Sequence, residues 1–271
     1  MAVEHLKLEE ELREAIFAGQ LELHYQPQID TGTGRAVSME ALVRWRHPKK
    51  GMIPPNDFIY VAERTGLIVD LGNWVLNEAA RQCASWDAMN LDKFRVCVNM
   101  SPLQFNQPNI AANVAHFIES SGMDAHRLEL ELTESAIMTD AESNIEKLRA
   151  LKAMGIGLAV DDFGTGYSSL SYLKRFPIDT LKIDQTFVAD LASPDGEAIV
   201  DAILALAGTL NLQVVAEGVE TNDQLNYLMA HKCDLLQGYY FERPVAAEEV
   251  PALMQKNYNE LFTETKSVAG A

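Results

Sequence analysis

Ile156-Gly157-Leu158-Ala159-Val160-Asp161-Asp162-Phe163-Gly164-Thr165-Gly166-Tyr167 joins a short apolar run to two adjacent aspartates and a glycine-punctuated loop. The run is rich in branched residues and has the character of a strand buried on both faces. Two carboxylates side by side at its exit repel each other unless a positive charge lies between them. A divalent cation fits that place, because hard metals take oxygen ligands and one carboxylate can bridge two ions. One aspartate capping the next helix, with the other solvated, accounts for the doublet equally well. Taken alone, the doublet leaves both readings open.

Other apolar stretches end in the same way. Glu40 lies within Val37-Ser38-Met39-Glu40-Ala41-Leu42-Val43, and Val96-Cys97-Val98 runs into Asn99. Leu128-Glu129-Leu130-Glu131-Leu132 carries Glu131 near its end, and Leu212-Gln213-Val214-Val215-Ala216 ends in Glu217. Leu181-Lys182-Ile183-Asp184 sets a lysine inside an apolar strand, and Leu235-Leu236 precedes Gln237. Each polar residue singly reads as a cap, a turn former or a solvated strand position. Oxygen donors repeated at successive strand exits call for one explanation. A parallel barrel gathers such exits into a ring, and that face is where barrel enzymes build their sites.

Segments with helical spacing separate these strands: 72–82, 109–119, 140–154, 197–210, 222–230 and 247–255. With Leu21-Glu22-Leu23-His24-Tyr25 as the first strand, the alternation predicts an α/β fold, a modified TIM (β/α)8 barrel. The modification is at its start. Asp30-Thr31-Gly32-Thr33-Gly34-Arg35 is too short for a helical crossover, so the first two strands are expected to be antiparallel. Residues 1–20 are expected to form a helix that links to an upstream domain or covers the bottom of the barrel. The barrel is expected over 21–258, with a frayed tail over 259–271.

A chain of 271 residues with 48% hydrophobic and 23% charged residues is ordinary for one globular domain. The most apolar segment, 202–216, is interrupted by Thr209, Asn211 and Gln213, so no membrane span is expected. The amino terminus lacks the layout of a secretory signal, and Cys83, Cys97 and Cys233 stand isolated, so a reducing cytoplasmic location is expected. A formal net charge of −17 argues against binding duplex nucleic acid. It leaves room for a small phosphorylated ligand, because metal ions reverse the local field. Histidines are scattered, which favours a hard ion such as Mg2+ or Mn2+ over zinc.

Glu40-Ala41-Leu42, inside Met39-Glu40-Ala41-Leu42-Val43-Arg44-Trp45, resembles the signature of the EAL domains, phosphodiesterases of the bacterial second messenger cyclic di-GMP. Matching blocks follow in order along nearly the whole chain. They include Tyr25-Gln26-Pro27, Ala62 to Ile68, Val98-Asn99-Met100-Ser101, Glu131 to Ser135, Asp161 to Leu170, Leu181 to Asp184, Ala216 to Thr221 and Gln237 to Tyr240. The resemblance implies that Glu40, Asn99, Glu131 and Asp161 hold one metal ion. It implies that Asp161 bridges to a second, held also by Asp162 and Glu217. Two ions of Mg2+ or Mn2+ then give hydrolysis to linear pGpG, by in-line attack of a bridging hydroxide. Catalysis is assigned to Lys182, Gln237, Glu217 and Glu40, with Lys182 stabilising charge and Gln237 orienting water.

Gln26, Leu42, Arg44, Asp184 and Tyr240 are the expected substrate contacts, the arginine fork suiting phosphate. A surface salt bridge for Arg44, and plain packing for Tyr240, are the alternatives. Glu134 resembles the residue that anchors the glycine loop, its alternative being a carboxylate favoured by a helix start. The resemblance also implies a homodimer through the helix after this loop, and an upstream sensor or diguanylate-cyclase-like domain as partner. A catalytically silent cyclic di-GMP receptor is the competing function. A metal-dependent enzyme removing a proton beside a carboxylate, with Lys182 as base, is the other. Glu242 and Gln185-Thr186 depart from the family's commoner residues without touching the expected ligands.

Overall fold

Strands β1 (Leu21–Asp30) and β2 (Arg35–His47) form a long antiparallel hairpin, pairing Leu21 with Trp45 at one end and Asp30 with Arg35 at the other. The computed structural model describes residues 2–89, 91, 93–166 and 170–262. From β2 the sheet continues in parallel through β4 (Arg95–Met100), β5 (Leu128–Thr133), β6 (Gly157–Phe163), β7 (Thr180–Ile183), β8 (Gln213–Ala216) and β9 (Leu235–Leu236). β1 closes the ring, antiparallel to both β9 and β2. The eight-stranded modified barrel and its antiparallel start are therefore both present. Two small strands extend it: β3 (Gly51–Ile53) pairs with the far end of β2, and β10 (Val245–Ala246) pairs with His24 and Tyr25. Strands of two or three residues carry too little periodicity to be read beforehand.

Helices follow in the order α1 (Ala2–Phe17), α2 (Pro55–Thr65), α3 (Ile68–Ala88), α4 (Pro102–Phe105), α5 (Ile110–Ser121) and α6 (Glu134–Met138). The remainder are α7 (Ala141–Ala153), α8 (Leu170–Leu173), α9 (Gln185–Ala189), α10 (Pro194–Leu210), α11 (Asn222–Ala230) and α12 (Val250–Gln255). Local chemistry sets several starts. Ser193 accepts from the Gly196 amide with Pro194 in the first turn, and Thr221 with Gln224 makes a reciprocal capping box on α11. α12 begins three residues later than expected, because Val245 and Ala246 are held in β10 and Pro251 falls in the first helical turn. Among the described residues no helix is long and apolar enough to cross a membrane.

The main core lies between the barrel wall and its helices, with Val96, Leu130, Leu158, Val160 and Leu181 fully buried. A second core surrounds Trp45 and contains Leu12, Ala15 and Ile16 of α1, Phe58 of α2 and Leu71 of α3. This corrects one expectation. α1 does not cover the bottom of the barrel; it packs beside the end of β2 that extends past Glu40, on the side where the parallel strands exit. Glu11 on α1 strengthens that seat by pairing with Lys50 at 2.5 Å and His47 at 3.5 Å. At the other terminus, Tyr258 and Phe262 are buried against Phe241, so packing continues into the segment expected as tail.

Leu12→Ala should lower unfolding stability by about 2–4 kcal/mol, as expected for a truncated, fully buried leucine. Denaturant titration measures this, and a change below about 0.5 kcal/mol would show that α1 is not integral to the domain.

Candidate active site

Strand register gathers the polar positions. Asn99 pairs with Glu131 across β4 and β5, Thr133 with Asp161 across β5 and β6, and Gln26 with Glu40 across β1 and β2. Lys182 pairs with Val215, two residues before Glu217. These side chains therefore arrive at one level of the barrel mouth from successive strands. Asp161 is followed by Asp162 at φ 53°, and the β6–β7 ladder slips between Val160 and Phe163. Aspartate is among the few residues that accept this left-handed backbone, and such strain persists where surrounding structure enforces it.

The Lys182 ammonium is buried at the centre of the ring. Its Nζ lies 2.6 Å from Glu131, 2.6 Å from Glu217, 3.2 Å from Asp161 and 3.9 Å from Glu40. Four carboxylates thus face one cation. Burial alone depresses a lysine, yet Asp161, Glu131, Glu217 and Glu40 together hold this ammonium well above its ordinary pKa. Burial also pushes the Glu131 carboxyl well up against the pull of Lys182, and pushes Glu217 up to about 8. Asp162 is raised to about 6, by burial first, then by the charge of Asp161 and a hydrogen bond with Asp184.

The donor set fits hard divalent cations. Glu131 Oε1 is buried without a hydrogen-bond partner, an expensive state unless something positive occupies its free lone pairs. The negative charge in excess over Lys182 points the same way. Asn99 donates to Glu40 Oε1 at 2.6 Å and Gln237 donates to Glu40 Oε2 at 2.5 Å, so amides hold the remaining carboxylate. Cys97, Glu129 and Glu131 also bring one ligand atom each within 4.8 Å of one another, deeper in the barrel. Glu129 there is neutralised by Arg95 at 2.9 Å and accepts from Thr180, which leaves that lower group less free to take an ion.

Two cavities of about 270 Å³ open at this mouth and share Leu42 in their walls. One contains Gln26, Glu40, Asp161, Glu217, Gln237 and Tyr239. The other contains Arg44, Glu63, Asn99, Pro102 and Gln104. Arg44 is half-buried, donates to the Val43 carbonyl at 2.9 Å, and is lowered by desolvation while keeping its charge. Asp184 is turned toward its own helix, accepting from the Thr186 amide at 2.9 Å, besides its bond to Asp162.

Most of the residues singled out in the sequence are therefore brought together: Glu40, Asn99, Glu131, Asp161, Glu217, Lys182 and Gln237 in one ring, with Gln26, Leu42 and Arg44 at its edge. Asp162 and Asp184 pair with each other beside it. Tyr240 is placed differently, its hydroxyl meeting Asn222 and its ring packing on Phe241, while Tyr239 faces the cavity with Arg243 stacked 4.3 Å from its ring. Glu134 is buried and accepts from the Gly164 amide at 3.0 Å. Gly164 has φ 97°, a conformation glycine takes without strain. The expected loop continues through Tyr167, Ser168 and Ser169, which lie outside the described residues.

Sequence reasoning missed Tyr239 and two buried residues beneath Gln237. These are Gln28, which donates to Gln237 Oε1, and Ser38, which donates to Gln28. The available signal was the two-residue strand period that sets Gln28 and Gln26 on one face, and Ser38 and Glu40 on the facing one.

Similarity to known proteins identifies the family. The family profile described as "EAL domain" matches residues 9–244. Over 253 residues the chain is 47% identical to the bifunctional diguanylate cyclase/cyclic di-GMP phosphodiesterase MucR of Pseudomonas aeruginosa, covering 93% of this chain and 37% of that protein. It is 45% identical over 245 residues to the cyclic di-GMP phosphodiesterase NbdA of the same organism, covering 90% of this chain and 31% of NbdA. The chain spans about a third of the length of these curated relatives. A solved structure of the PaMucR phosphodiesterase in complex with c-di-GMP superposes with a TM-score of 0.87 at 46% identity, covering 90% of this chain and 99% of that one. By profile, identity and superposition, this chain belongs to the EAL domain family.

Proposed function

We propose that this chain hydrolyses cyclic di-GMP to linear pGpG at the mouth of its barrel. The observation that carries the reading is the ring of four carboxylates around one buried lysine, with an unsatisfied Glu131 oxygen, opening into one of two cavities that share Leu42. Adjoining lobes suit a cyclic dinucleotide, whose two base-bearing halves flank a phosphodiester ring. The matched relatives named as cyclic di-GMP phosphodiesterases support the same substrate.

Glu40, Asn99, Glu131 and Asp161 would hold one Mg2+ or Mn2+, and Asp161, Asp162 and Glu217 a second. Bound there, such a pair acidifies water and neutralises charge on the attacking and leaving oxygens. The side chains do the rest. Arg44 offers its planar fork to phosphate oxygens at the edge of the site. Lys182 is fixed as an ammonium by its carboxylates, so it supplies positive charge in a water-poor setting where charge acts strongly. Gln237 directs its amide N–H into the mouth, towards Glu40, where it can orient the water that reacts. Addition of that water gives hydroxyl to phosphorus and hydrogen to the 3′ oxygen as the P–O3′ bond breaks. Gln26 and Leu42 line the cavity where a nucleotide half would lie, and Glu134 holds the start of the glycine loop through the Gly164 amide.

Regulation belongs to the same reading. The helix after the glycine loop would pair two copies. α1 would carry input from an upstream sensor or cyclase-like domain, consistent with the greater length of the relatives. With a bacterial second messenger as substrate, the work would be done in the cytoplasm.

Incubation with cyclic di-GMP and Mg2+, followed by chromatography, should yield pGpG. Tight binding with intact substrate would establish the silent receptor instead. Glu40→Ala and Asp161→Ala should each abolish turnover and weaken Mn2+ binding together, as read by calorimetry; turnover surviving either change removes the metal assignment. Lys182→Met should cost about 10²–10³-fold in kcat, the usual effect of deleting a charge-stabilising donor. A kcat within threefold of the parent would exclude that role.

A further inference from the structure

Below the mouth, four polar side chains run head to tail. Ser38 Oγ donates to Gln28 Oε1 at 2.6 Å, Gln28 Nε2 donates to Gln237 Oε1 at 3.0 Å, and Gln237 Nε2 donates to Glu40 Oε2 at 2.5 Å. Gln237 Nε2 also reaches Gln26 Oε1 at 3.1 Å, and Cys97 Sγ approaches Gln28 Oε1 at 3.7 Å. Gln28 and Ser38 are fully buried and face each other across the β1–β2 ladder, one inward step below the Gln26–Glu40 pair.

We infer that Gln28, seated on Ser38, is a positioning residue that fixes which face of the Gln237 amide looks into the active site. The inference rests on the hydrolase reading above and extends it to residues that touch neither substrate nor ion.

An amide side chain has two faces of opposite polarity, and it turns over unless both are engaged. Glu40 engages the N–H face of Gln237 here, but anything entering the mouth competes for that carboxylate. Gln28 engages the C=O face from beneath, out of reach of any ligand. A turned Gln237 would set two donors against the Gln28 donor and leave its carbonyl facing the Glu40 carboxylate, two losses at once. Gln28 is held in turn, because its carbonyl accepts from the Ser38 hydroxyl and faces the Cys97 thiol. Aligned donors polarise one another, so the chain delivers a stronger N–H to the mouth than an isolated glutamine does.

The backbone gives this arrangement a rigid base. Gln237 donates its amide to the Ala216 carbonyl at 2.9 Å, and its own carbonyl accepts from Val219 at 3.0 Å. At the next residue, a Cβ on Gly238 would sit 2.1 Å from the Val219 carbonyl oxygen, so the two segments touch backbone to backbone. With the main chain pinned, the remaining freedom of Gln237 is in its side chain, and Gln28 removes it.

The test uses Gln28→Met, which keeps volume and deletes the amide, Gln237→Met, and the double variant. If Gln28 acts through Gln237, Gln28→Met lowers kcat by about tenfold, the worth of one placed hydrogen bond. KM stays within twofold, and the change adds nothing in the Gln237→Met background. A purely structural role predicts additive losses, or lowered stability with kcat unchanged, and either result overturns the inference. Ser38→Ala gives a smaller loss of the same kind and supplies the test if Gln28→Met does not fold. Independently of turnover, the Gln237 side-chain amide resonances of the metal-free protein should be slow to exchange in the parent and should lose that protection in Gln28→Met. Unchanged protection overturns the inference even if hydrolysis is confirmed, whereas a parent chain that fails to cleave cyclic di-GMP defeats the functional reading and leaves this resonance test to decide the relay.

Discussion

The Lys182 ammonium, sealed among Glu131, Glu217, Asp161 and Glu40, is the interaction on which the mouth of this barrel depends. Burying a carboxylate is costly, and burying several together is costlier, because each raises the energy of the others. One lysine lets the strands converge without complete neutralisation. The imbalance that remains is the functional point. A ring fully neutralised by its own side chains would have little use for cations, whereas this one keeps an unsatisfied Glu131 oxygen and excess negative charge. Removing one member of a buried ion pair typically costs about 3–5 kcal/mol. The same lysine therefore holds the mouth of the fold together and sets the charge within it.

The antiparallel start of the barrel shapes the site around that lysine. Because β1 runs against both neighbours, β1 and β2 form a continuous hairpin that carries Gln26, Gln28, Ser38, Glu40, Leu42 and Arg44 on one stiff ribbon. Its far end is clamped at Trp45 by the second core, to which α1 contributes Leu12 and Ile16. α1 therefore packs against the end of the strand that holds Glu40 and Arg44.

The barrel, its irregular start and most of the site are legible in the sequence, because each depends on local pattern. Short apolar runs that end in Asn99, Asp161 or Glu217, or carry Glu40 or Glu131 within them, show a strand and a candidate donor together, and a short polar turn after Asp30 forbids a crossover. The features that escape are those decided by tertiary packing. An apolar stripe on α1 says that the helix is covered, not what covers it. Gln28 resembles a surface glutamine until strand register turns it inward, and Ser38 is equally anonymous. Tyr239 and Tyr240 are adjacent and chemically alike, and the turn after Gly238 has no periodicity to show which one meets the cavity. Packing through Phe262 escapes for a similar reason, since its partner Phe241 is distant in sequence.

The most direct measurement is anomalous diffraction from crystals of this chain soaked in Mn2+ and collected at the manganese edge. Two peaks are expected inside the carboxylate ring, one contacting Glu131 Oε1 and both contacting Asp161, about 3.5–4 Å apart as in other two-metal centres. An ordered ring with no anomalous peak at saturating Mn2+, and Lys182 still bridging its carboxylates, would contradict it.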